Sequence, residues 1–158
     1  MNRLRLIYLS VFCGIISILS FLNIIYSYYF NLYLNLNTYF LSLAVSFVLG
    51  IFFYFIPQNQ NKITIYDKIL TILLGYIFLP LILSIPFYFS IYNISFINSY
   101  FEAISGFTST GFTIFENIKH IDQSLIIWRS SSQWLGGLYF LKEWELFDIY
   151  DNEDEEWD

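Results

Sequence analysis

Phe101-Glu-Ala-Ile-Ser-Gly-Phe-Thr-Ser-Thr-Gly-Phe-Thr113 decides how the rest of this chain is read. It lies between two apolar blocks and is too short and too polar to cross a bilayer itself. A segment that enters as a short helix and leaves through hydroxyls and glycines is built to show backbone carbonyls to a cation. Non-helical backbone at membrane depth survives only when buried in protein or lining a watery path. A dehydrated potassium ion needs several oxygen ligands at once, and rings of backbone carbonyls provide them without holding the ion too tightly. Gly111 gives the freedom to turn carbonyls toward an axis. Thr108, Ser109, Thr110 and Thr113 are small, and their hydroxyls can bond neighbouring backbone. The helix before them aims its negative end at the same place. Spacing alone leaves a second reading open, an outer surface loop after an amphipathic interfacial helix.

The surroundings favour a membrane. Of 158 residues, 57% are hydrophobic and only 13% charged, against about a quarter charged in soluble domains. The apolar residues also lie in long blocks. The net charge of −6 misleads, because nine of the thirteen acidic residues crowd into 143–158 while all seven basic residues precede them. Cys13 is the only cysteine, so no disulfide framework can form within the chain. It reads as a small buried hydrophobe.

Leu6–Tyr29 exceeds the h-region of a secretory signal and lacks a small-residue cleavage site after it. It matches the roughly 20 residues needed to cross hydrocarbon, and is expected to be a retained first span. Residues 31–37 form an uncharged turn, and 39–56 a second span stopped by Pro57. A polar connection over 58–68 leads to a third span at 69–89, with Pro80 and Pro86 kinking its far end. After a loop at 90–97 comes a short helix over 98–107. Asn98 or Ser99 is expected as its N-cap, and Ser99-x-x-Glu102 has capping-box spacing. At about 15 Å it enters the hydrocarbon without crossing it. Residues 116–122 are polar again, and 124–141 make a fourth, poorer span interrupted by Arg129, Ser130, Ser131, Ser132 and Gln133. The expected fold is an all-α membrane protein. Residues 1–60 hold two N-terminal helices, 61–142 a span, pore helix, filter loop and truncated span, and 143–158 an acidic, disordered tail.

Arg3, Arg5, Lys62 and Lys68 share one side if the first two spans form a hairpin. The positive-inside rule makes that side cytoplasmic, with both termini there and the re-entrant segment entering from outside. Arg129, inside the fourth span, is expected to brace the pore helix by pairing with Glu102 or with carbonyls at that helix's C-terminus. Direct control of the ion and simple snorkelling are the other readings. Gly136-Gly137 permit a close helix approach, or else face lipid as ordinary glycines. His120 and Asp122 read as solvated. Asn93-Ile-Ser95 is a glycosylation sequon by pattern alone. The acidic tail reads as solvated, with Trp144, Phe147, Tyr150 and Trp157 interleaved. No nucleophile–base pair, metal cluster or phosphate loop appears, so an enzyme is not expected.

The unit of span, short helix, Thr108-Ser-Thr-Gly111 and span resembles the first pore unit of Trk/Ktr-type potassium-uptake proteins. Phe101-Glu102 and Ser105-Gly106 before the loop, and Gln133-Trp-Leu-Gly-Gly137 after it, carry the resemblance, which runs from about Leu6 to Gly137. Two helices ahead of the unit look like the Trk branch. The resemblance implies that the carbonyls of Thr108, Ser109, Thr110 and Gly111 form one quarter of a potassium filter, supported by Glu102, Thr113 and Arg129. It implies potassium as cargo, no cofactor, and a bacterial cytoplasmic membrane. Membrane lipid and the remaining pore units, or further copies of the chain, would be its partners. A cytoplasmic nucleotide-binding regulatory protein usually accompanies the family, and no nucleic acid is implied. The family carries four units in one chain, whereas this chain has one, and after Gly137 its apolar pattern gives way to acids. That change reads as a truncation or frameshift, or as an authentic tail. The alternatives are therefore a non-conducting remnant acting as a membrane interaction protein, and a self-assembling tetrameric cation channel.

Overall fold

A computed structural model describes residues 6–56, 65–117 and 120–154, with side chains of 65, 67, 68 and 143–154 outside the description. The described chain is helical throughout, with no strand among these residues. Its elements are α1 (Leu6–Tyr29), α2 (Leu36–Phe55), α3 (Ile65–Leu83), α4 (Ile85–Tyr88), α5 (Phe96–Phe107) and α6 (Gln123–Asp154). By length and composition three stretches can cross a membrane: Leu6–Tyr29, Leu36–Phe55 and Ile69–Tyr88. Pro57, the connection over 58–64, Lys119 and the two N-terminal arginines lie outside the described residues.

α1 and α2 form an antiparallel pair whose seam is made of small hydroxyl residues. Ser10 Oγ donates to the Gly50 carbonyl at 2.7 Å. Ser17 and Ser46 share a hydrogen bond at 2.8 Å, and Ser20 donates to Ser42 at 3.3 Å. Ser42, Ser46 and Gly50 recur every four residues, so one face of α2 is nearly flat. A β-carbon added at Gly50 would already touch Cβ of Cys13 at 3.4 Å. Such small-residue stripes let membrane helices approach closely, where water-driven burial cannot bring them together.

The third apolar block is two helices. Ser84 breaks it between α3 and α4, as Pro86 removes the N–H that would have bonded one turn back. Pro80 stays inside α3. The carbonyl of Leu83, at the end of α3, takes its hydrogen bond from the indole Nε1 of fully buried Trp128, at 3.0 Å. Among the described side chains, α6 carries its buried residues at Ser124, Leu125, Trp128, Ser132, Leu135, Gly136 and Tyr139, one helical stripe. It does not end at the start of the acidic stretch. The helix runs on through Lys142 to Asp154.

Candidate functional site

α5 is shifted from its expected start. Ser95, with extended backbone, is the N-cap and its Oγ accepts from the Asn98 N–H at 3.4 Å. Ser99 instead donates to the Ser95 carbonyl at 3.0 Å, and Glu102 turns away from the helix start, so there is no capping box. The 12 residues of α5 rise about 18 Å, well short of the roughly 30 Å hydrocarbon layer. Ser99, Glu102, Ala103, Ser105, Gly106 and Phe107 form its buried face.

The helix closes with a left-handed turn. Thr108 N–H bonds Ile104 O at 2.8 Å, Ser109 N–H bonds Gly106 O at 2.9 Å, and Thr110 N–H reaches back to Ser105 O at 3.1 Å. This is the Schellman arrangement, which normally puts glycine at the left-handed position. Here Ser109 occupies it, at φ +56°. Gly111 follows at φ +80°, a conformation that strains any residue with a side chain. The sequence pointed to Gly111 and not to Ser109.

The non-helical segment 108–115, a returning strand in path though not part of a sheet among the described residues, is pinned along one edge. Ser105 Oγ donates to the Phe112 carbonyl at 2.6 Å. Glu102, fully buried, accepts through Oε1 from Thr113 Oγ1 at 2.7 Å and from the Ile114 N–H at 2.5 Å. Its other oxygen takes no hydrogen bond and faces Arg129 Nη1 at 3.6 Å. Arg129 Nη2 donates to the carbonyls of Phe112 at 2.7 Å and Gly111 at 3.3 Å. Arg129 thus lies against Glu102 and against carbonyls of the strand, beyond the end of α5. Residues 108–112 are exposed, and no described residue donates a hydrogen bond to the carbonyls of Thr108, Ser109 or Thr110. Gly111, grouped with them on sequence, has its carbonyl drawn toward Arg129.

α6 holds α5 by direct backbone approach. A β-carbon at Gly136 would overlap the carbonyl of Phe107, and one at Gly106 would overlap Oγ of Ser132. Gly137 has nothing nearby, so one glycine of the pair is used for the approach and the other is not. Phe107 also stacks within an aromatic group. Its ring centroid is 5.7 Å from Tyr76 and 5.6 Å from Tyr139, and Tyr139 is 4.9 Å from Phe12. The Tyr139 hydroxyl lies where a side chain at position 75 would be, and donates to the Ile72 carbonyl at 3.1 Å.

Asp122 is not solvated, as had been expected, but buried. Oδ1 caps α6 by accepting from the Ser124 N–H at 3.2 Å, and Oδ2 accepts from Asn35 Nδ2 at 2.9 Å. The Asp122 N–H in turn donates to the Tyr92 hydroxyl at 2.8 Å. His120 is exposed. Asn93 is exposed too, at φ +49°.

Known proteins include relatives of this chain. The chain is 29% identical over 114 residues to an uncharacterized cation transporter of Methanocaldococcus jannaschii, covering 70% of this chain and 24% of that one. The relatives are transporters. The Trk system potassium uptake protein TrkI of Halomonas elongata is 40% identical over 60 residues, 38% of this chain and 11% of its own length. The Trk system potassium uptake protein TrkG of Escherichia coli is 24% identical over 106 residues, 66% of this chain and 22% of its own. The chain therefore spans about a quarter or less of the curated relatives it matches. No family model matches it, and no solved structure does. Three membrane-capable helices together with these relatives make it a multi-pass membrane protein.

Proposed function

We infer that Thr108–Gly111 is one strand of a potassium-selective filter, and that the chain contributes it to potassium transport across the cytoplasmic membrane. The observation that carries this is the set of carbonyls at Thr108, Ser109 and Thr110, on which no hydrogen bond is seen among the described residues, on an exposed strand at the negative end of a half-membrane helix. Carbonyl groups at membrane depth are costly without a partner, and a dehydrated cation is a partner that suits several at once. Potassium uptake by the Halomonas elongata and Escherichia coli relatives supports potassium as the ion. On this reading α6 is a fourth span. Its polar residues weigh little against crossing, because Arg129 faces Glu102 and Ser132 is buried against Gly106. α5 is then a re-entrant helix entering from outside, with the α1–α2 turn on that outer side and both termini inside. Lipid surrounds the bundle, and further strands, from other pore units or further copies, complete the ring. The reading requires no cofactor.

The test replaces the matching first pore unit of the E. coli relative with residues 61–142 of this chain, with and without Gly111→Asp. Potassium uptake should be supported by the first chimera, and its preference for potassium over sodium should collapse in the second. Equal rates and equal preference in both would return the segment to an ordinary surface loop.

A further inference from the structure

The end of the bundle that carries the α1–α2 turn holds a buried polar junction that the filter reading does not use. Asn35, in that turn and 1% exposed, bonds two distant parts of the chain with its one amide group. Its Oδ1 accepts from the Ile91 N–H at 3.1 Å, just before α5. Its Nδ2 donates to Asp122 Oδ2 at 2.9 Å, just before α6. Around it, Asn23 of α1 donates to the Ser124 carbonyl at 3.1 Å, and Tyr39 of α2 shares a hydrogen bond with Ser124 Oγ at 2.8 Å. Tyr92 closes the circuit by accepting from the Asp122 N–H. The segment between these anchors, 93–121, includes α5 and the whole returning strand.

We propose that the α1–α2 hairpin is a clamp on the segment 93–121, and that Asn35 is its positioning residue, fixing both flanks of that segment at one point. The hydrogen bonds select this over simple packing of two lipid anchors. An anchor needs an apolar face toward its neighbours, whereas this hairpin spends two asparagines and a tyrosine at the junction, and leaves a carboxylate buried to meet them. A carboxylate out of water is stabilised only where donors are aimed at it. Each donor to Asp122 comes from a different element: the side chain of Asn35 from the hairpin, and the Ser124 N–H from α6. The inference stands on these bonds alone. It would survive failure of the filter reading, and its test uses no transport measurement.

The pair can be reversed atom for atom. With Asn35→Asp and Asp122→Asn together, the new carboxylate accepts from the Ile91 N–H and from the new amide, whose oxygen accepts from the Ser124 N–H. Neither change alone keeps all of these bonds. Asn35→Asp sets two carboxylates against each other, which can share the site only by taking up a proton, and Asp122→Asn leaves one donor facing another whichever way the two amides are turned. Hydrogen exchange on the 158-residue chain in lipid nanodiscs reads the outcome. Each single variant should speed exchange of the Asp122 and Ser124 amides about tenfold or more, the equivalent of one charge-assisted hydrogen bond. The loosening should spread into 108–117 while amides along the Ser10–Ser20 seam keep their rates. The double variant should return all of them to wild-type rates. If a single variant fails to accumulate in the membrane, recovery of folded chain in the double variant supports the clamp equally. Single variants that leave these amides unchanged would overturn it. So would uniform loosening that includes the α1–α2 seam, or a double variant as loose or as poorly folded as the singles.

Discussion

At the scale of single residues, the side chains that stand out chemically in an apolar sequence are the ones whose surroundings were legible. Glu102 and Arg129 are rare charges among hydrophobic neighbours, and opposite charges in a low dielectric are expected to find each other. Removing one partner of such a buried pair costs about 3–5 kcal/mol. Glu102→Ala, which also strips the acceptor from Thr113 and Ile114, should therefore unfold the chain far more easily in a denaturant titration in detergent. Glu102→Ala combined with Arg129→Ala should cost less than the sum of the two single changes, by roughly 0.5–3 kcal/mol, the range for residues in contact. Asp122 was misread for a reason that is equally physical. It sits among polar neighbours at the mouth of a span, where solvent is the default partner, and its true partner Asn35 is 87 residues away. Of the two adjacent glycines, spacing could not tell which one faces α5. Gly136→Ala should destabilise by about 1–3 kcal/mol or more, since the obstacle is backbone. Gly137→Ala, in open space within a helix, should stabilise by up to about 1 kcal/mol. Thermal unfolding of the two variants side by side checks this.

At the scale of elements, the apolar blocks announce the helices because length and hydropathy are one-dimensional properties. What joins the helices is hidden from such averages. The serines of the α1–α2 seam merely dilute hydropathy, and their alignment appears only when two helices are set against each other. Replacing one hydroxyl there removes little, about 0.6 kcal/mol for Ser46→Ala on the average for interhelical bonds in membranes. A large side chain is different, because Ser46 is fully buried beside Ser17. Ser46→Leu should cost about 1–3 kcal/mol through overpacking, read as a lowered unfolding midpoint together with loss of protection along α1. α5 starts two residues earlier than expected, with its cap three or four residues earlier, because Ser95 and Ser99 are both competent caps, and choosing between them depends on where the preceding loop is held. The continuation of α6 through the acids was masked by composition, which changes abruptly at 143 while the backbone does not.

At the scale of the whole molecule, the orientation proposed from the charges that flank the spans can be tested without any transport assay. Cysteine introduced at exposed His120 should react with an impermeant reagent applied to intact cells, and cysteine at position 60 should not. The reverse pattern would place the returning strand on the wrong side for uptake. The purified chain reconstituted at high lipid-to-protein ratio should pass no potassium, because a single strand cannot surround an ion. Flux that is abolished by Gly111→Asp under those conditions would show that copies assemble. One geometric feature sets a further constraint. Asp122, the cap of α6, and Gly136 on its buried stripe are fourteen residues apart, which is close to four turns and about 21 Å. The first is moored to the hairpin, and the second is the saddle on which the tip of α5 rests. Between them α6 acts as a measuring rod, and what it measures is residue count rather than residue type. Many substitutions within that interval can be absorbed. Inserting or deleting one residue there would swing Gly136 by about 100°, lift α5 off its seat, and change the depth at which the strand is held.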